Sequence, residues 1–239
     1  MGSKHSFGNS ANRLLERLPN KEFDRLMGVA QPASLARGDE IYRQEAPLRH
    51  VYFPKTGVCS IAVVMSDGRH VEATTVGNEG MIGLPAYLGI DFAPNSAVAQ
   101  VAIDGWRVPV SAFRDKVIGS NAFDRIVRHY IAYSIHYAKQ MLACNALHSV
   151  PERASRCLLM VHDRVGEDEF ELTHELLAKM LGVHRQTVTA AAGALQQVGL
   201  ISYRRGLIRV QKRKQLEETA CECYQATKNM YERIMRAID

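Results

Sequence analysis

The stretch LAKMLGVHRQTVTAAAGAL, residues 177–195, sets a polar run, His184-Arg185-Gln186-Thr187, directly before a run of alanine and glycine. Two short helices that cross steeply need a small residue where their backbones approach, a glycine free to turn left-handed, and apolar positions on either side. Ala178 is the small residue, Gly182 makes the turn, and Leu177, Leu181, Val183, Val188 and Ala191 fall where side chains must be buried. So many constraints met at fixed offsets in so short a span identify a helix-turn-helix. In its second helix Val188, Ala191 and Leu195 face inward, while Arg185, Gln186 and Thr189 share the outward face near the N-terminus, where side chains enter a DNA major groove. Arg185 can bond bidentately to guanine and Gln186 to adenine, each contributing roughly 1–3 kcal/mol of discrimination. His184 reads as a helix start or a phosphate contact, and Thr187 as a backbone contact. The small residues Ala190, Ala192 and Gly193 keep the helix slim where it lies close to its own domain and to the duplex wall. Plain solvent exposure is the alternative reading of the polar face.

Charge around this motif is segregated. From Lys179 to Lys214 there are eight Lys or Arg and no Asp or Glu, whereas Glu167, Asp168, Glu169, Glu171 and Glu175 crowd the segment just before. That distribution suggests a surface facing a polyanion, a solvated basic face being the plain alternative. The hairpin that follows, ISYRRGLIRVQKRK, reads as a wing, with strands LISY and LIRV joined by Arg205-Gly206. Arg204, Arg205, Arg209 and Lys212 to Lys214 would hold phosphates, giving affinity and salt dependence without sequence information.

Upstream, Pro151 starts this C-terminal unit with a helix near 152–165, followed by an acidic loop, a helix near 173–181 and the second helix near 185–199. Downstream, Leu216 to Ile234 reads as one amphipathic helix packing back on the winged domain. Before Pro151, nothing breaks a helix from Asn121 to Leu147, a length that suggests a helix spanning domains or subunits. Val127, Tyr130, Ser134, Tyr137, Met141 and Cys144 recur at alternating three and four spacing, the seam expected where two copies pack along each other. A competing line runs through Ile131, Ile135, Ala138 and Leu142. One line buried on the chain's own first domain and the other on a partner would explain both, and a core helix buried on both sides in a monomer is the alternative.

Residues 12–30 read as short helices with a break at Pro19-Asn20. From about Leu35 to Val110 short apolar runs alternate with turn signals at Arg37-Gly38-Asp39, Thr56-Gly57, Ser66-Asp67-Gly68 and Asp104-Gly105, the pattern of a many-stranded antiparallel barrel or roll.

The bulk properties narrow the class further. With 239 residues the chain can bury one large or two modest cores, and its net charge is only +5. No run of eighteen apolar residues occurs, and MGSKHSFGNS has neither an apolar core nor a cleavage site, so the expectation is a soluble cytoplasmic protein with no membrane partner. The five cysteines, Cys59, Cys144, Cys157, Cys221 and Cys223, are odd in number and scattered, which fits reduced packing thiols. Cys144 and His148 lie one helical turn apart and Cys221 and Cys223 flank one residue, so ligation is conceivable at either pair, but the expectation is no metal and no cofactor. An enzyme finds no support in any phosphate-cradling glycine loop or nucleophile–base arrangement.

The order of roll, long helix and winged helix-turn-helix centred on LAKMLGVHRQTVTAAAGALQQVGLI resembles the family of the cyclic-AMP receptor protein and the fumarate and nitrate reduction regulator over residues about 14–215. The resemblance implies an α+β chain with an N-terminal cyclic-nucleotide-binding-like β-roll within 1–120, a dimerisation helix in 121–150, a winged helix-turn-helix in 151–215 and a helical extension in 216–239. It implies a homodimeric bacterial transcription regulator that binds an inverted-repeat operator in double-stranded DNA and has RNA polymerase as a partner. RQTVT matches the start of the family's recognition helix, where Arg contacts guanine and the next residue is often Glu; Gln186 stands there, and Ala190 replaces a second Arg. Members that bind cyclic AMP carry a Gly-Glu-Leu segment that takes the ribose, then an Arg that pairs with the phosphate. The matching stretch GMIGLPAYLGIDFAPNSAVA has Leu84 for the Glu and Asn95 near the place of the Arg, and the long helix offers Ala138 and Lys139 in place of hydroxyls. A degenerate effector pocket and no response to cyclic AMP follow. An iron–sulfur cluster of the family's kind needs four thiolates, several near the N-terminus, and the first cysteine is Cys59. The reading is therefore a sequence-specific regulator; the alternative is a ligand sensor whose winged domain makes protein contacts.

Overall fold

A computed structural model describes residues 12–238; the segment 1–11, on which the expectation of no leader rests, and Asp239 lie outside the described residues. After a single turn of 3-10 helix at Leu15–Arg17 and helix α1 (Asn20–Met27), five strands form one sheet: β1 (Gln31–Leu35), β2 (Glu40–Tyr42), β3 (His50–Val64), β4 (His70–Val76) and β5 (Ser96–Pro109). The order is β1-β5-β3-β4 with β2 also on β5, and every pairing is antiparallel.

The strands are longer than the turn signals predict. Arg37-Gly38-Asp39 and Ser66-Asp67-Gly68 do turn the chain, but Thr56-Gly57 and Asp104-Gly105 sit inside β3 and β5, facing each other with Pro54 opposite Gly105 and Thr56 opposite Asp104. The register shifts there, so these residues make bulges that bend two long strands instead of ending four short ones. Gly57 has φ +90, and a side chain on it would run into the backbone of Ala102, so glycine is required by both conformation and space. A short helix α2 (Leu84–Tyr87) interrupts the path to β5, and α3 (Val110–Lys116) leaves it.

Helix α4 (Asn121–Leu147) begins at Ser120, whose hydroxyl accepts from the Phe123 N–H, and runs unbroken for 27 residues. Its buried face is Phe123, Ile126, Val127, Tyr130, Tyr133, Tyr137, Met141 and Cys144. This corrects the expected dimer seam: Val127, Tyr130, Tyr137 and Met141 are enclosed by the chain's own core, and half-buried Ser134 turns its hydroxyl onto the Tyr130 carbonyl. The other line is the open one, with Ile135 at 52% and Leu142 at 74% exposure.

Ser149 then caps α5 (Val150–Val165) reciprocally with Glu152, and Pro151 occupies its first turn, where no N–H is needed. The acidic loop contains a strand, β6 (Glu169–Glu171), which pairs with β8 (Leu207–Val210) beside β7 (Ile201–Arg204). Between them lie α6 (His174–Leu181) and α7 (Arg185–Gln197). The tail is two helices instead of one, α8 (Arg213–Thr219) and α9 (Cys223–Arg236), because Ala220 adopts an extended conformation between them. Leu216 of α8 packs into the winged domain as expected, but α9 lies along α4, with the Tyr231 ring edge-on to Tyr133 at 5.0 Å.

A buried polar cluster joins the two halves, beside the packing of α5 on Val58 and Val101 of the roll. Arg164, at the end of α5, donates to both oxygens of Glu79 (2.5 and 3.1 Å) and to the Thr75 hydroxyl (2.6 Å), which also pairs with the Tyr137 hydroxyl at 3.1 Å. Roll, long helix and winged domain thus meet at one ion pair whose members are 7% and 10% exposed.

Candidate nucleic-acid interface

Thr173 caps α6 through the Leu176 N–H at 3.2 Å, and Gly182 ends it in the left-handed region at φ +63. The chain then passes His184 in an extended conformation and starts α7 at Arg185. Leu177, Leu181, Val188, Ala191, Ala192 and Leu195 are buried, which fixes α7 against α5 and α6. His184, Arg185, Gln186, Thr187 and Thr189 are all exposed at the N-terminal end of α7. Of the small residues, Ala192 packs inward as its size suggests. Gly193 meets only open space, so packing within the chain does not demand it.

Thr189 is less free than the sequence indicates. Its hydroxyl donates to the Arg185 carbonyl at 3.0 Å and lies 3.0 Å from Nδ1 of His174, whose ring stacks on Tyr203 at 3.9 Å. This trio joins α6, α7 and the wing, and neither His174 nor Tyr203 carries a sequence signal that marks it. Burial, and then the neighbouring Arg185 charge, hold the His174 imidazole below its ordinary range, so it is neutral at physiological pH.

At the wing tip Arg205 takes φ +51 and Gly206 φ +87, a tight turn that thrusts out Arg204 and Arg205. Neither has an ion pair among the described residues. The other basic residues divide. Lys212 and Lys214 are exposed, but Arg209 lies 3.4 Å from Glu169 of β6, so the short acidic strand partly neutralises it. Arg213, expected among the phosphate contacts, points into the protein: it donates to Asp163 and the Tyr224 hydroxyl, both at 2.6 Å, and lies 3.0 Å from Glu217.

The roll has a cavity of about 760 Å³, its polar side lined by Ser60, Glu72, Ser96 and Gln100 and closed by Leu176 and Lys179 of α6. None of the four residues expected to mark an effector pocket lines it. Leu84 packs on the core, Asn95 is half-buried ahead of β5, and Ala138 and Lys139 are exposed, because the face of α4 turned to the roll is the tyrosine face. The hydroxyl of half-buried Tyr42 meets the Gly83 backbone just before Leu84. Ser60 and Gln100 donate to Glu72 at 2.7 and 3.0 Å, but burial outweighs them and pushes its carboxyl up to about 7.

Four possible metal ligands also come together: Cys144, His148, Cys221 and Cys223, with their sulfurs and ring nitrogen within 4.8 Å of one another. The two pairs that the sequence shows separately are one cluster, because α9 is folded along α4.

Residues 32–118 match the cyclic nucleotide-binding domain and residues 152–219 the Crp-like helix-turn-helix domain. The chain is 23% identical over 178 residues to the CRP-like cAMP-activated global transcriptional regulator of Mycobacterium tuberculosis, covering 72% of this chain and 80% of that one. Among solved structures, FixK2 from Bradyrhizobium japonicum superposes with a TM-score of 0.68 at 20% identity, covering 81% of this chain and 98% of that one. A putative Crp/Fnr-family regulator from Eubacterium rectale gives 0.62 at 20% identity, covering 88% and 99%. Both share the fold described above.

Proposed function

Because the chain belongs to the Crp/Fnr family of transcription regulators and carries its helix-turn-helix DNA-binding domain, we propose that it acts as a homodimer reading an inverted repeat in double-stranded DNA. The observation that carries this reading is the exposed N-terminal end of α7, Arg185 and Gln186, on a span without acidic residues that continues to the exposed Arg204-Arg205 wing tip; His184 and Arg185 also border a cleft toward the Asp67-Gly68 turn of the roll. In the proposed complex Arg185 reads guanine, Gln186 a neighbouring base, and His184, Thr187, Arg204 and Arg205 hold phosphates. Thr189 buttresses this face through His174 and contributes its methyl group more than its hydroxyl, while Arg209 contributes weakly beside Glu169.

The second copy packs on the open line of α4, Ile135, Ala138 and Leu142 with half-buried Ile131 at its edge, whose exposed apolar groups a partner helix would cover. Dimerisation there sets two recognition helices about one helical turn of DNA apart. A contact with RNA polymerase belongs to the same reading. No helix among the described residues is long and apolar enough to cross a membrane.

Cyclic AMP is not the effector in this reading. The cavity sets Glu40, Glu45 and Glu72 beside Arg43 and Lys179, with Arg43 already paired to Glu40, and Leu84 and Asn95, which stand where cyclic-AMP binders carry the ribose carboxylate and the phosphate cation, lie outside it. Calorimetric titration with cyclic AMP is expected to give no heat of binding, and micromolar affinity would refute it. The DNA reading is tested by mobility shift on a selected duplex: Arg185→Ala should weaken binding more than about fivefold and lose preference at one guanine, whereas unchanged binding would overturn it.

A further inference from the structure

We propose that Cys144, His148, Cys221 and Cys223 form a four-ligand site for a zinc-type divalent cation, stapling the C-terminal tail to the end of the long helix. Cys144 and His148 are one turn apart at the C-terminus of α4, while Cys221 and Cys223 flank Glu222 at the break between α8 and α9. All three sulfurs are buried, and the His148 side chain is 16% exposed.

The spacing fits one metal. With Zn–S about 2.3 Å and Zn–N about 2.05 Å, a regular tetrahedron has S···S edges of about 3.8 Å and S···N edges of about 3.6 Å. Cys144 Sγ lies 3.5 Å from Cys221 Sγ, and Cys223 Sγ lies 3.6 Å from His148 Nδ1. The Cys144–Cys221 separation is far beyond an S–S bond of about 2.05 Å. A polynuclear iron–sulfur cluster, which places several irons between its thiolates, would need the sulfurs farther apart.

The surroundings are those of a ligand set. His148 turns Nδ1 to the sulfurs and Nε2 toward Glu222, 3.8 Å away, longer than a hydrogen bond but on the side where a carboxylate can support a ligating ring. Gln140 donates its amide N–H to Cys223 Sγ at 3.0 Å. Arg156, 4% exposed and electrostatically coupled to Cys144 and Cys221, supplies a buried positive charge. Three thiolates, a neutral imidazole and a divalent cation sum to one negative charge, which that guanidinium balances. Four protein ligands leave no open position, so the site is structural, and binding replaces the thiol protons with metal. It lies at the junction of α4 and α5, where the long helix hands over to the DNA-binding half.

The test uses the full chain purified under reducing conditions with zinc present and freed of loose metal, its zinc counted by plasma mass spectrometry, and a parallel sample loaded with cobalt(II). Expected are about one zinc per chain and, with cobalt, intense tetrahedral d–d bands with thiolate-to-metal charge transfer. Cys223→Ser and His148→Gln should each retain less than about one tenth of the zinc after a chelator wash, whereas Cys59→Ser, a thiol of the roll, should retain it. The cobalt spectrum of the unmodified chain decides the matter should a variant fail to fold. A reduced chain that takes up neither metal, a cobalt spectrum of octahedral oxygen ligation, or full zinc retention by folded Cys223→Ser would overturn the site. So would a Cys144–Cys221 disulfide whose reduction restores no metal uptake.

Discussion

Replacing Arg164 with methionine tests whether a single buried ion pair joins the two halves of the chain. Methionine keeps much of the side-chain volume but removes five donors and the charge, leaving Glu79 at 10% exposure with its Arg partner gone. Breaking a buried pair from one side costs about 3–5 kcal/mol, most of it the desolvated carboxylate left behind. Glu79→Gln in the same chain removes that orphan charge, so the double variant should be more stable than the sum of the single effects predicts, by about 1–3 kcal/mol. Urea unfolding followed at Trp106, the only tryptophan, reports the roll, and far-ultraviolet circular dichroism reports the helices. The two probes should coincide in the parent chain and separate in Arg164→Met, because the buried ion pair between the halves is gone and only the apolar packing of α5 on Val58 and Val101 remains to couple them. A loss below about 0.5 kcal/mol or strict additivity with Glu79→Gln would refute this account of the junction.

Three further outcomes follow. Glu72 carries a folded-state value of about 7 against an ordinary 4.5, so the native state binds its proton more tightly; that stability is fully present below about pH 4.5 and is lost as pH rises through about 7. The unfolding free energy from urea melts should fall from pH 5 to pH 8 by about 1–2 kcal/mol, less than full burial would give because the cavity admits solvent; Glu72→Gln should flatten the profile, and an unchanged slope would contradict it. Ile135→Glu with Leu142→Glu should convert a dimer to a monomer in light scattering without lowering the chain's helix content, whereas Met141→Glu should unfold it. Gly182→Ala should cost about 1 kcal/mol from backbone strain alone, since no atom lies within 4 Å of the added carbon; a neutral thermal melt would contradict this.

Local rules made the C-terminal half legible. Gly182, Ala178 and the apolar positions around them satisfy a helix-turn-helix whatever the rest of the chain does, Arg205-Gly206 makes its turn from two residues, and α4 continues because nothing in it breaks a helix. Non-local choices were hidden. Thr56-Gly57 and Asp104-Gly105 have the composition of turns, and only their pairing across the sheet makes them bulges. Which line of α4 is buried depends on α9, more than eighty residues away in sequence for Cys223 against Gln140. The same docking gathers Cys144 with Cys221. Strand β6 has one inward residue, Phe170, between two glutamates, too little alternation to stand out. In the candidate interface the exposed polar face was legible from helical periodicity, but the pairing of Arg209 with Glu169 and the inward turn of Arg213 depend on packing partners that spacing does not encode.

The most direct test of the central claim is selection from randomised DNA duplexes by the purified full chain without added effector, followed by sequencing of the retained pool. The expected result is an enriched inverted repeat with half-sites about one helical turn apart, containing a guanine whose enrichment disappears for Arg185→Ala. A folded, dimeric chain that enriches no sequence, or one whose enriched sequence is indifferent to Arg185, would contradict it.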